Sequence, residues 1–227
     1  MNRQPPADAI DISLADVTTA LAKHISLYRW RRPIYQTAML RSLRRAWQPT
    51  DRTVLDVGGG TGIMAQSIKE LFPVDRVVSV DVENRYLDGL DIETRTYDGR
   101  TLPFADASFD CVLLCNVLHH VPKSLRGSLL EECGRVAATG TVYIKDHVAE
   151  SRLDHLRLKI LDLLGNVPFG GMVEASYLEA ADWQTLADEA GLCIESRYGD
   201  AYRDGVMARL FPNRLEVVMK WVPAARR

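Results

Sequence analysis

Apolar positions along this chain come in blocks, and the blocks change period. From Thr53 on, short apolar runs give way to helical spacing and back again. Val54 to Val57 reads as a strand, and Ile63 to Leu71 behind it as a helix. Arg76 to Val80, Ile92 to Tyr97, Phe109 to Cys115 and Thr141 to Lys145 read as four more strands. Such alternation predicts an α/β fold with a mostly parallel sheet and helices on both faces. Ahead of the sheet, Leu14, Val17, Leu21 and Ile25 recur at helical spacing, and Ile34, Met39, Leu40 and Leu43 do so more loosely. Two N-terminal helices are expected there.

The C-terminal third is organised differently. Ser151, with Asp154 three residues on, starts a helix in the manner of a capping box. Leu153, Leu156, Ile160, Leu163 and Leu164 mark its apolar face, and Gly165 suits its C′ position. The stretch 166–177 carries Pro168, Phe169, Gly170, Gly171 and Met172 and reads either as a lid or as an ordinary connection. A further helix runs from about Ala180 to Ala190 and ends at Gly191. Leu192 to Tyr198 and Leu215 to Trp221 form the last two strands.

Composition narrows the class. The 227 residues suffice for one α/β domain, and a net charge of -2 fits an ordinary soluble protein. No apolar run is long enough to span a membrane. Met1 to Ile12 has no apolar core and is not a secretion signal. The four cysteines lack C-x-x-C spacing, which points to reduced thiols, no bound metal and a cytoplasmic location.

The strongest chemical signal is Val54-Leu55-Asp56-Val57-Gly58-Gly59-Gly60-Thr61-Gly62. Strand, glycine turn and helix make a nucleotide-binding unit. Asp56, two residues before the first glycine, would repel a pyrophosphate over this turn and welcome a ligand with an ammonium group. Ile63 stands where the dinucleotide pattern needs Gly or Ala. Asp81 follows the second strand, about 20 residues on, where ribose hydroxyls are bonded; capping a helix over 82–88 is the alternative. Asp98 with Gly99 closes the third strand and would otherwise be a plain Asp-Gly turn. Asn116-Val117-Leu118-His119-His120 lies past the fourth strand, in the crevice where open α/β sheets bind ligands.

Gly58, Gly60 and Gly62, Asp98-Gly99 and the run Phe104-Ala105-Asp106-Ala107-Ser108-Phe109-Asp110 together resemble the class I S-adenosylmethionine-dependent methyltransferases, of the methyltransferase-11 kind. The resemblance covers about residues 50–150. It implies a Rossmann-like sheet of seven strands with an antiparallel last strand. It implies one methyltransferase domain over 1–227: an N-terminal helical cover (1–50), a cofactor-binding core (51–150), a helical and lid insertion (151–180) and a C-terminal helix and strand hairpin (181–227). S-adenosylmethionine is then the cofactor and S-adenosylhomocysteine the product. Asp56, the three glycines, Asp81, Val82, Asp98 (to the adenine amino group), Gly99, Asn116 and Val117 are the implied cofactor contacts.

For the acceptor, His147 at the end of the fifth strand is the candidate base, with packing or helix capping as its alternative. Asp146 or a distant acid such as Asp162 would orient it. Tyr28, His120 and Phe169 are candidates for the acceptor pocket, Tyr28 equally a core residue. A small molecule methylated on oxygen is the expected acceptor. Carbon methylation of a quinone-like ring, methylation of RNA through Arg29, Arg31, Arg32, Arg41, Arg44 and Arg45, and a cofactor-binding protein without activity are the competing readings.

Overall fold

The structure is a computed structural model and describes residues 11–166 and 175–224. Its sheet is built from β1 (Thr53–Val57), β2 (Arg76–Asp81), β3 (Glu93–Thr96), β4 (Phe109–Cys115), β5 (Ala137–His147), β6 (Leu192–Tyr198) and β7 (Glu216–Pro223). The strands lie in the order β3-β2-β1-β4-β5-β7-β6. Neighbours from β3 to β5 are parallel, while β7 runs antiparallel to both β5 and β6. This is the Rossmann-like, seven-stranded sheet with an antiparallel last strand that the sequence implies.

Helices cover both faces: α1 (Leu14–His24), α2 (Ile34–Ala46) and α3 (Ile63–Leu71) on one, α4 (Lys123–Val136) and α6 (Ala180–Glu189) on the other. Strand alternation explains the partition. Leu55, Val57, Val112 and Leu114 pack with Leu129, Leu130 and Trp183, whereas Val54, Cys111 and Leu113 pack with Leu21, Leu40 and Ile68. Central parallel strands are buried on both sides, so they read as continuous apolar runs. The edge strand β3 (Glu-Thr-Arg-Thr) is wholly exposed.

Two further helices, α5 (Arg152–Asn166) and α7 (Gly205–Leu210), flank the last strands. Ser151 caps α5 by accepting from the Asp154 amide at 3.2 Å, and Asp154 accepts from the Glu150 amide. The apolar face read from the sequence of α5 is not buried. Leu153, Leu156, Ile160 and Leu163 are 41–55% exposed, and the helix anchors instead through Leu158 and the buried, ion-paired Asp154. Gly165 falls inside α5 rather than beyond it. β5 is longer than expected at both ends: Ala137 pairs with Phe109 of β4, and β7 pairs with the C-terminal half to His147 and Glu216.

Candidate functional site

The glycine turn is shaped by backbone demands. The Gly58 and Gly59 amides donate to the Val80 carbonyl at 2.7 and 3.2 Å, tying the turn to β2. Gly58 sits at φ +76°, and a Cβ there would meet Val117 at 2.6 Å. Gly60, also at positive φ, opens onto free space. Only glycine reaches this geometry without strain.

Over the turn lies a cavity of about 600 Å³ at the C-terminal ends of β1, β2 and β4. Its walls come from Gly58 to Thr61, from Asp81 and Val82, from Tyr97 to Arg100, and from Cys115 to Val117 with His120. Size and mixed lining suit a nucleoside-sized ligand. Nine expected site residues line it: Gly58, Gly60, Asp81, Val82, Asp98, Gly99, Asn116, Val117 and His120. Thr61, Met64, Arg85, Tyr97 and Arg100 also do, though none of them was an expected contact.

Local bonds orient the two rim acids. Asp81 accepts from the Gly60 amide at 2.7 Å and the Glu83 amide at 3.1 Å. No helix follows it over 82–88, so it caps none. Asp98 accepts from the Arg100 and Thr101 amides, both at 2.8 Å, and these bonds hold its carboxyl below the usual carboxylate range. Both acids therefore keep lone pairs free for donors in the cavity.

Four expected residues lie elsewhere. Asp56 is buried behind the turn, where it accepts from the Ser79 hydroxyl at 2.8 Å. Burial pushes its carboxyl up to about 7, with nearby Asp81 adding to the shift. Gly62 starts α3 in the left-handed conformation, and a Cβ there would strike Leu90 and Tyr86. Tyr28 packs in the core beneath α1 and α2, its hydroxyl bonded to Gln36. His147 is buried behind His119, 5.1 Å between ring centroids, and is not on the cavity wall. Burial, with Lys145 and His119 beside it, drives its imidazole down to about 3. Such a ring is neutral and a very weak base. Phe169 lies outside the described residues.

What β5 presents instead is a carboxylate for another histidine. His119 donates from Nδ1 to Asp146 Oδ1 at 2.5 Å, and its Nε2 lies 3.7 Å from Asp162 on α5. Burial opposes a charge on His119, but the two carboxylates outweigh it and raise the ring to about 9. His120, 4.1 Å away between centroids, lines the cavity, and its Nε2 lies 3.7 Å from Asp162. Donor atoms of His119, His120 and Asp162, and of His119, Asp146 and His147, fall within 4.8 Å of one another.

A second buried network sits on the other side of β5. Lys145 donates to the Tyr35 hydroxyl at 2.6 Å and Asn116 Oδ1 at 2.7 Å, and pairs with Glu216 at 3.2 Å. Asn116 has φ +58°, and these bonds fix it there on the cavity wall.

Comparison with known proteins agrees with this geometry. A family model described as a methyltransferase domain matches residues 55–144. The flavonoid 4'-O-methyltransferase of Glycine max is 29% identical over 143 residues, covering 61% of this chain. The chain spans only 40% of the length of that plant enzyme. The ubiquinone/menaquinone biosynthesis C-methyltransferase UbiE of Hahella chejuensis is 28% identical over 173 residues, 64% of this chain and 69% of UbiE. Among solved structures, the methyltransferase bound to the Trm112 activator of Haloferax volcanii superposes with a TM-score of 0.64 at 16% identity, covering 94% of this chain and all of that one. The strand order, the glycine turn under its cavity and the matched model agree: residues 55–144 carry a methyltransferase domain, set in a Rossmann-like sheet with the fold of known methyltransferases.

Proposed function

We propose that the protein transfers a methyl group to an oxygen of a small-molecule acceptor, with His120 as the base. Bound S-adenosylmethionine supplies a methyl on a positively charged sulfur, which leaves neutral and needs no acid. In this reading Asp81 accepts from the ribose hydroxyls, and Asp98 with Gly99 and Val82 holds the adenine; that all four line the cavity supports it. Gly58, Gly60, Asn116 and Val117 line the end of the cavity assigned to the methionine part. The observation that carries the acceptor chemistry is His120 on the wall beside Asn116, backed by His119 and Asp146. Removing the acceptor's proton there is worth about 10²–10⁴-fold, and holding acceptor and donor in line about 7–11 kcal/mol. Similarity to the flavonoid O-methyltransferase supports oxygen. Similarity to UbiE supports carbon as the second reading, and that chemistry needs the same base. The free cysteines support a reducing, cytoplasmic setting.

The test is incubation with methyl-labelled S-adenosylmethionine and a panel of phenols, hydroquinones and RNA. Mass spectrometry then locates the label. Label on oxygen, with kcat about 10²-fold lower in His120→Gln and KM for the cofactor little changed, is the expected result. Label confined to carbon or to RNA would refute the oxygen assignment. An unchanged kcat in His120→Gln would refute the base.

A further inference from the structure

We infer that the edge formed by α5, α7 and the segment ahead of α2 docks on an anionic lipid surface. Residues 152–163 of α5 present a one-sided chemistry. The exposed ones are Arg152, Leu153, Leu156, Lys159, Ile160 and Leu163. Its acids turn inward: Asp154 is fully buried against Arg157 and Arg214, and Asp162 faces the histidines. In α7 the exposed side chains are Val206, Met207, Arg209 and Leu210. Ahead of α2 and at its first residue they include Leu27, Trp30 and Ile34, interleaved with Arg29, Arg31 and Arg32. Trp30 is 90% exposed.

Two contacts connect these elements. Arg157 of α5 donates to the Arg209 carbonyl of α7 at 3.2 Å. Tyr202, just ahead of α7, packs on Tyr35 of α2 at 5.7 Å between centroids.

Large apolar side chains spaced among cations are what an anionic bilayer interface selects. The apolar groups enter the acyl boundary, and Arg and Lys meet the headgroups. The chain as a whole is net negative, so cations without exposed acids on these helices are not its average surface. Leu, Ile, Val and Met between the arginines favour lipid over RNA, which takes up cations through phosphate but offers such side chains no apolar phase. No helix among the described residues is long and apolar enough to cross a membrane, so the contact is peripheral.

The experiment is sedimentation of the full chain with vesicles of equal parts phosphatidylcholine and phosphatidylglycerol, with phosphatidylcholine alone as the second arm. Acrylamide quenching reports the contact, because Trp30 is exposed while Trp47, Trp183 and Trp221 are buried. The inference predicts binding to the anionic vesicles only, weakened by salt, with Trp30 protected. Leu156→Glu/Ile160→Glu and Arg152→Glu/Lys159→Glu should each weaken binding about tenfold or more. Both should keep affinity for S-adenosylhomocysteine, which shows that they fold. Three results would overturn it: no binding to anionic vesicles at low salt; binding equal in wild type and variants; or a dimer in light scattering that Leu156→Glu/Ile160→Glu converts to monomer, which assigns the face to a second copy. Binding to RNA without binding to vesicles would overturn it equally.

Discussion

Replacing Asp56 by asparagine changes one charge behind the glycine turn and almost nothing in volume. In the wild type, burial raises this carboxyl to about 7, while an unfolded Asp titrates near ~3.9. The folded chain thus holds the proton more tightly than the unfolded one. The stability this contributes is complete below about pH 4 and is lost as pH rises through about 7. The full difference corresponds to about 4 kcal/mol, of which about 2–3 kcal/mol falls between pH 5 and 8. In Asp56→Asn the substituted amide does not titrate, and its oxygen still accepts from Ser79. Urea denaturation of both proteins across pH 5 to 8 measures the effect. The wild type should lose about 2–3 kcal/mol relative to Asp56→Asn over that range, about 5–10 °C in Tm for a chain of this size. Other titrating groups are common to both proteins and cancel in the difference. Parallel stability curves would show that Asp56 is not destabilised by burial, and the account of the turn would fail with it.

Two further outcomes follow from the cavity wall. Gly58→Ala places a Cβ 2.6 Å from Val117 at φ +76°, so S-adenosylhomocysteine should bind about tenfold more weakly by calorimetry. Adding Val117→Ala should restore part of the loss, since it relieves the contact but not the backbone strain. Lys145→Met removes the cation shared by Tyr35, Asn116 and Glu216, and should cost about 3–5 kcal/mol in urea denaturation. It should also raise KM for the cofactor, because Asn116 loses the bond that fixes its left-handed backbone.

The parts of the fold legible in the sequence are those decided locally. β4 and β6 run as read, and α3 starts and stops at the expected residues, because apolar runs and glycines mark them. Other features depend on partners distant in sequence. The last two residues of β5 extend the expected strand because β7 pairs with them, Asp146 with Val217 and His147 with Glu216. The leucines of α5 obey helical periodicity, yet periodicity cannot say which face another element covers. Here the helix is anchored by Asp154 with Arg157 and Arg214, and the leucines point outward. A surface-docking helix and a core helix share one pattern, and only the neighbours distinguish them.

The candidate site divides in the same way. Gly58 and Gly60 in the glycine turn, Asp81 at the end of β2 and Asp98 just past β3 reach the cavity because the parallel sheet places strand C-termini together. The proposed base is not legible this way. Lys145, Asp146 and His147 are consecutive, and alternation sends Lys145 to Tyr35 and Asn116 but Asp146 to His119. Asp146 therefore orients a histidine 27 residues away rather than the one next to it. Burial, with Lys145 and His119 beside it outweighing Asp146 and Glu216, leaves His147 neutral and weakly basic. His119 bears the charge, and among the three clustered histidines only His120 combines an imidazole with a place on the cavity wall. Sequence alone favours a basic ring on strand five. At the end of that strand the His147 ring packs against His119 and Tyr177, off the cavity wall, and the proposed role falls to the loop after strand four.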